Sequence, residues 1–105
     1  MARKNFGKSV GITGLAVLST PAANTITIRT ITVCNTLVAN ADVTFSLWYI
    51  DADVSNTPFY VARNFYLPWR SHISFDIGQV LEENDSLMAI SDTASSIDVT
   101  GSYEV

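Results

Sequence analysis

Apolar and polar residues alternate along most of this chain, a period of two that is typical of β-strands. The clearest stretch runs from Thr20 to Ile50, where two alternating runs are joined by a polar link over residues 35–42. The apolar positions of the first run change parity between Ile28 and Ile31. Because a bulge inserts one extra residue into a strand, this change predicts a β-bulge or a local twist between them.

The same alternation predicts several more strands along the chain. We expect them over about residues 10–18, 59–67, 72–77, 87–91 and 97–105. Polar or Pro-containing segments predict turns or loops at residues 21–24, 51–58, 68–71, 82–86 and 92–96. Seven or eight short strands without an amphipathic helix predict an all-β protein, an antiparallel β-sandwich or jelly roll.

Length and charge divide the chain into two parts. A chain of 105 residues is long enough for one core, so we predict a single β-sandwich domain over residues 9–105. Residues 1–8 form a predicted basic N-terminal arm, because Arg3, Lys4 and Lys8 are three of the six basic residues and no acid precedes Asp42. The rest of the chain has three basic residues and ten acids, so the arm is expected either to contact something acidic or to be a frayed, solvated terminus.

Composition narrows the class of partner. With 48% hydrophobic and 15% charged residues, part of the apolar surface is expected to be covered by another protein, which favours a homo-oligomer. The acidic body argues against nucleic acid as the main partner. No apolar run approaches the roughly 20 residues that span a bilayer, so no membrane partner is expected. Gly11, Thr13 and Gly14 interrupt the apolar segment near the N-terminus, which argues against a secretion signal.

Two patterns contain the residue types of a catalytic triad or a calcium site but lack the arrangement that such sites require. His72, Ser74 and Asp76 are the side-chain types of a hydrolase triad, but they fall at alternate positions on one strand face, where groups point outward in parallel and rarely converge. Asp51 and Asp53 could begin a calcium loop, but the central glycine and closing glutamate are missing. We therefore predict no enzyme activity, no cofactor and no metal site.

The single cysteine, Cys34, allows no internal disulfide, which is compatible with assembly in a reducing cytoplasm. It follows Val33 at a predicted strand end, so a buried structural thiol is expected.

Trp69 beside Arg70 in the predicted turn has the composition of a protein-binding surface, although such a Trp can also fold back over the end of a sandwich. From charge and exposed-aromatic character, we predict five partner-contact residues: Arg3, Lys4, Lys8, Trp69 and Arg70.

A set of short motifs, in order, resembles a family of small β-sandwich structural proteins of tailed bacteriophage virions, the capsid cement or decoration proteins. The resemblance covers about Ser19 to Val105 and rests on the order of its motifs. They are Thr20-Pro21-Ala22-Ala23-Asn24-Thr25, Ile28, Ile31, Val33-Cys34-Asn35-Thr36, Asp42-Val43-Thr44, Ala62-Arg63-Asn64, Leu67-Pro68, Val80-Leu81, Asn84-Asp85-Ser86-Leu87 and Ile97-Asp98-Val99-Thr100.

Two positions depart from the family pattern. Trp69 to His72 replaces a Gly-containing hairpin, which leaves the chemistry of that loop specific to this chain. Asn84 stands where the family tends to have Gly, and Asn can adopt the left-handed conformation that Gly would supply.

The resemblance implies a non-enzymatic protein on the capsid surface of the virion, with the major capsid protein as partner and a homo-oligomer, favoured as a trimer, as the assembly. Two other classes remain open. One is a neck, tail or fibre-attachment component, or a receptor- or glycan-binding module that uses Tyr60, Tyr66 and Trp69. The other is a small hydrolase built around Ser71, His72 and Asp76.

Overall fold

The computed structural model describes residues 3–20, 24–38, 40–52 and 57–105. In these ranges eight strands form two four-stranded antiparallel sheets, a first sheet ordered β1-β8-β3-β6 and a second sheet ordered β2-β7-β4-β5. This strand order is that of a jelly roll, so the predicted all-β class is confirmed. The strands are β1 Arg3–Val10, β2 Leu15–Ser19, β3 Ile26–Asn35, β4 Val43–Asp51, β5 Thr57–Leu67, β6 His72–Leu81, β7 Ser86–Ser91 and β8 Ile97–Glu104.

The first predicted strand, over residues 10–18, is wrong. Two strands, β1 and β2, occupy this part of the chain, and β1 begins at Arg3. From Arg3 opposite Glu104 to Val10 opposite Ile97, β1 pairs with β8 along its whole length. An edge strand that buries little side-chain surface leaves a weak hydrophobic pattern, so its backbone pairing could not be read from periodicity. The boundary predicted after residue 8 therefore falls inside β1.

The core lies between the inward faces of the two sheets. Phe45 and Leu47 of the second sheet are at most 1% exposed, as are Ile28 and Ile31 of the first. Each such side chain contributes about 1.5–3 kcal/mol through burial. The other core residues are Val10, Val17, Ile26, Val33, Val43, Ala62, Leu67, Leu81, Leu87, Ala89, Ile97 and Val99.

The bulge predicted in β3 is confirmed. The register of β3 shifts between Ile28 and Thr30 against both of its neighbours, β6 and β8. Against β8 the extra residue is on β3, whereas against β6 it is on β6. Because β3 gains one residue relative to β8, Ile28 and Ile31 both point into the core despite their odd spacing.

Gly101 of β8 lies against this bulge. A Cβ atom added to Gly101 would be 2.1 Å from the carbonyl oxygen of Thr30 and 2.7 Å from the Phe6 ring. A side chain cannot occupy that space, so Gly101 allows β1, β8 and the bulged part of β3 to approach closely.

The alternation predicted for β5 breaks in its middle. Uninterrupted alternation would place Ala62 on the same face as Tyr60 and Tyr66, but Ala62 is buried opposite Leu47. Two register shifts between β4 and β5 and a left-handed Asn64, with φ of 51°, account for the difference.

Some predicted turns lie wholly or partly outside the described residues. Residues 21–23 of the first turn and residues 53–56 of the loop before β5, including Asp53, belong to this group. The turn before β7 is described, and Asn84 there has a left-handed φ of 67°, as predicted. Within the described ranges, no helix is long and apolar enough to cross a membrane.

We expect Gly101→Ala to lower the free energy of unfolding by about 1–3 kcal/mol, because the new methyl group must displace backbone at the bulge. Gly78→Ala is the matched control, since a Cβ at Gly78 has no atom within 4 Å. The control is expected to be neutral or slightly stabilising. Urea unfolding of both variants measures the difference, and equal stabilities would contradict the close approach at Gly101.

Candidate functional site

Four connections meet at one end of the sandwich, because neighbouring antiparallel strands begin and end together. They are residues 11–14 between β1 and β2, 36–42 between β3 and β4, 68–71 between β5 and β6, and 92–96 between β7 and β8. We call the described part of these segments the loop end. Backbone hydrogen bonds tie it together, from Ser91 N to Gly11 O, Thr36 N to Ser96 O and Asn35 N to Ser71 O.

The side chain of Asn35, at the end of β3, anchors the loop end. Asn35 is only 4% exposed. Its Nδ2 donates to the carbonyl oxygens of Ala41, Leu67 and Pro68 at 3.1–3.3 Å, and its Oδ1 accepts from the Leu37 backbone N–H. One buried amide therefore links the end of β3 to the loop before β4 and to the end of β5.

Trp69 is half-buried and lies over the loop end. Its indole Nε1 donates to the Leu37 carbonyl at 2.9 Å, and its backbone N–H donates to Oδ1 of Asp42 at 2.9 Å. The Arg70 guanidinium covers the ring at 4.6 Å from its centroid, and Arg70 takes a left-handed φ of 62°. The structure therefore has the second arrangement considered for Trp69, a ring folded back over the end of the sandwich, with Arg70 exposed above it.

Asp42 receives a second hydrogen bond at the same place. The Tyr66 hydroxyl donates to Oδ2 of Asp42. This hydrogen bond, and then the Trp69 backbone N–H, hold the pKa of Asp42 below its ordinary value. The same carboxylate raises the pKa of Tyr66. The charged form of Asp42 thus joins β5 to the Trp69 turn.

Two aliphatic side chains project from this tied end into solvent. Val38 is 97% exposed and Ile12 is 62% exposed. Apolar tips on loops that are already held by hydrogen bonds cost less entropy to order when a partner binds.

The predicted basic contact residues lie apart from Trp69 and Arg70. Arg3, Lys4 and Lys8 are all in β1, at the opposite edge of the first sheet from β6. Because Val10 ends β1 at the loop end, Lys8 is near that end and Arg3 and Lys4 are far from it.

At the far end Arg3 is already paired. Arg3 donates to Glu104 at 3.2 Å, and Arg29 donates to the same carboxylate at 3.0 Å. Arg29, and then Arg3, hold the pKa of Glu104 below its usual range. The structure therefore brings Trp69 and Arg70 together but does not bring all five predicted contact residues into one patch.

The side chains examined for catalysis or metal binding do not converge. His72, Ser74 and Asp76 are all exposed on β6 at alternate positions, as expected of an outward strand face. In the described ranges, no group of three or more His, Cys, Asp or Glu side chains is placed to hold a metal ion.

Cys34 was predicted to be buried, and this prediction is wrong. Cys34 is exposed, whereas Val33 and Asn35 on either side of it are buried. Alternation after the β3 bulge turns Cys34 outward, where it lies opposite Asp98 of β8 and His72 of β6.

The outward faces of the two sheets differ in character. In the first sheet, Thr32 pairs with Thr100 and Ser74, and its hydroxyl lies 2.9 Å from that of Ser74. Such hydroxyl pairs satisfy one another and leave a small, polar surface. In the second sheet, four residues directly opposite one another make one row across all four strands: Ala16, Met88, Trp48 and Tyr60. We call this row the aromatic row.

Sequence reasoning missed the aromatic row as a surface feature. The available signal was that β4 is apolar at both parities, since Trp48 and Ile50 alternate with the buried Phe45 and Leu47. A strand that is apolar on both faces indicates that both faces contact something. Only the pairing of β4 with β7 and β5 adds Met88 and Tyr60 to the same surface.

No protein-family model matches this sequence, and no curated protein is significantly similar to it. Several solved structures share its fold. A protein of the T13 IBDV viral particle aligns with a TM-score of 0.60 and 10% identity, over 97% of this chain and 30% of that chain. A protein of Bacillus endospore appendages, described as disulfide-linked pili, aligns with a TM-score of 0.55 and 10% identity, over 97% of this chain and 82% of that chain. This chain thus spans less than a third of the viral protein, and the likeness defines the all-β fold alone.

Replacing Asn35 should destabilise the protein and loosen the loop end. In Asn35→Asp an acceptor replaces the donor that faces three carbonyls. We therefore expect the free energy of unfolding to fall by about 2–4 kcal/mol. Urea unfolding measures this loss, and amide hydrogen exchange at residues 36–42 and 68–71 should accelerate. Asn24→Asp, at an exposed site, is the control and should change neither quantity measurably. A stable Asn35→Asp protein with slow exchange would contradict the anchoring role of Asn35.

Tyr66→Phe should raise the pKa of Asp42 toward its ordinary value, because the strongest hydrogen bond to the carboxylate is removed. A carboxyl whose pKa is lowered by folding stabilises the protein above its unfolded pKa, and that contribution is lost as pH falls through the folded pKa. The variant should therefore lose the Asp42 contribution at a higher pH than the unchanged protein does. NMR titration of the Asp42 carboxyl carbon measures the shift, and an unchanged midpoint would argue against this bond.

Proposed function

We propose that this chain is a non-enzymatic structural protein of a tailed-bacteriophage virion, a cement or decoration protein on the capsid surface. Two lines support the proposal. The ordered motifs from Ser19 onward resemble that family, and the jelly-roll fold also occurs in a protein of a viral particle. The observation that carries the proposal is the loop end, a surface stiffened by Asn35 that presents Val38 and Ile12 to solvent.

The proposed mechanism is clamping. The loop end docks on the major capsid protein near the junction of adjacent capsid subunits, and the buried apolar area opposes their separation. A standard protein interface buries about 1,600 Å² in total, so many copies would stabilise a shell substantially without any chemistry. The chain acts as a homo-oligomer, for which the resemblance favours three copies.

The predicted contact residues take separate parts in this mechanism. Arg70 is exposed beside the loop end and Lys8 lies near it, so both can pair with acidic groups of the capsid protein. Trp69 acts through its contacts with Leu37 and Asp42, which hold the loop in place. Arg3 and Lys4 lie at the far end of β1 and would reach a different neighbour.

The copy number of this chain per purified particle tests the proposal. Quantitative mass spectrometry against the major capsid protein should give a ratio corresponding to hundreds of copies. A dozen copies or fewer would overturn the cement role and favour the neck, tail or fibre-attachment alternative. Absence from particles would overturn any virion role and favour a separate receptor- or glycan-binding module.

Val38→Asp should weaken capsid binding by tenfold or more, because it places a charge on an apolar tip that docking would bury. Since Val38 is 97% exposed, the free energy of unfolding should hardly change. Val80→Asp is the matched control, because Val80 is also exposed and lies at the other end of β6. Co-sedimentation with capsids stripped of this protein measures binding. Equal binding by both variants would show that the loop end is not the docking surface.

A further inference from the structure

The outward face of the second sheet has no cover from the described part of this chain, although its character is that of an interface. Trp48 and Tyr60 pack against each other with centroids 5.9 Å apart, and the Arg63 guanidinium carbon lies 4.9 Å from the Tyr60 ring centroid. Tyr60 and Tyr66 are 47% and 58% exposed. Aromatic residues, Met and Arg are the side chains enriched at protein interfaces.

Side-chain size changes steadily across this face. At the β2 edge, Gly14 and Ala16 carry no side chain or a single methyl group. At the β5 edge, Tyr60 and Tyr66 stand above the sheet. Trp48 lies between the two edges. Its ring is close to the β2 edge, since a Cβ atom added to Gly14 would be 3.5 Å from it. Side chains therefore project little from the face at the β2 edge and project far from it at the β5 edge.

We propose that two copies of this chain pair face to face through the aromatic row, about a two-fold axis that runs parallel to the strands. Such an axis places β5 of one copy over β2 of the other. It leaves the position of each residue along the strand direction unchanged. The four residues of the aromatic row lie at the same position along the strand direction. Tyr60 therefore contacts Ala16 of the other copy, and Trp48 contacts Met88 of the other copy. The β5 edge with its large side chains thus packs against the β2 edge with its small ones. Each Met88 sulfur contacts a Trp48 indole, which is a favourable interaction.

The area of the face agrees with a specific pair. The strands of the second sheet contain 5, 6, 9 and 11 residues. At about 3.3 Å per residue and about 4.8 Å between strands, the face covers about 500 Å² in each copy. A pair would bury about 1,000 Å², the size at which specific interfaces begin. Two like sheets also pack readily at about 10 Å, as in any sandwich.

This pairing is distinct from a three-fold contact. A three-fold axis joins two different patches on neighbouring copies, whereas a self-complementary face closes at two copies. The trimer of the proposed function would leave the aromatic row free to join one trimer to the next. The two contacts are therefore separate, and pairing through this face does not depend on the protein being capsid cement.

Disulfide trapping tests the geometry directly. In a Cys34→Ser background, Ala16→Cys together with Tyr60→Cys should form a covalent dimer under mild oxidation. Within one chain these positions are three strand spacings apart, about 14 Å, too far for the roughly 7 Å limit of a disulfide. Either cysteine alone should trap no dimer, because the axis keeps like positions apart. Thr100→Cys with Tyr60→Cys, on opposite outward faces, is the control and should remain unlinked.

The mass in solution tests the same contact without cysteines. Ala16→Arg places a long side chain where Tyr60 of the other copy would lie, so it should halve the mass measured by sedimentation, from two chains to one or from six to three. Thr100→Arg, on the polar face, should leave the mass unchanged. An odd number of chains in the unchanged protein, or equal masses for both variants, would overturn the pairing. Loss of capsid binding by Ala16→Arg without a change in mass would assign this face to the capsid protein instead.

Discussion

A sandwich of two sheets has one core, so each sheet keeps one face outside it. Alternation along a strand sends successive side chains to opposite faces, and only the inward set contributes to the shared core. The outward faces of this protein are therefore free to differ. One carries Thr32, Ser74 and Thr100, whose hydroxyl groups suit water, and the other carries Trp48 and Met88, which do not. The two inward faces form the core that stabilises the fold. The two outward faces are not part of that core and are available for contacts with other molecules.

The loop end depends on a different kind of interaction. Apolar burial is not directional, and it leaves the path of a loop beyond a strand largely undetermined. The Asn35 amide supplies direction, because its hydrogen atoms must point at particular carbonyls of residues 41, 67 and 68. With Asp42 and Trp69 it fixes the loops before any partner binds. Such preorganisation would favour the proposed docking, since ordering loops during docking would weaken binding.

The jelly roll by itself does not define a function. It occurs here, in a protein of a viral particle and in a protein of spore appendages, at 10% identity to each. What distinguishes this chain is the chemistry placed on the shared scaffold. That chemistry consists of apolar tips, aromatic side chains and a few basic residues, and it is suited to contacts between proteins. His72, Ser74 and Asp76 lie exposed at alternate positions of β6, so their side chains point outward in parallel.

The sequence by itself determined the strands that have one buried face, the all-β class and the bulge near Arg29, because period-two alternation is a local property of the chain. It also indicated that Asn84 could adopt the left-handed conformation seen in the turn before β7. Tertiary structure alone decided that Arg3 belongs to a strand, since the hydrogen-bonding partner of β1 lies about a hundred residues away in β8. It likewise decided the outward position of Cys34 and the aromatic row. Each depends on which strands become neighbours, and that choice is made by long-range packing that no local pattern encodes.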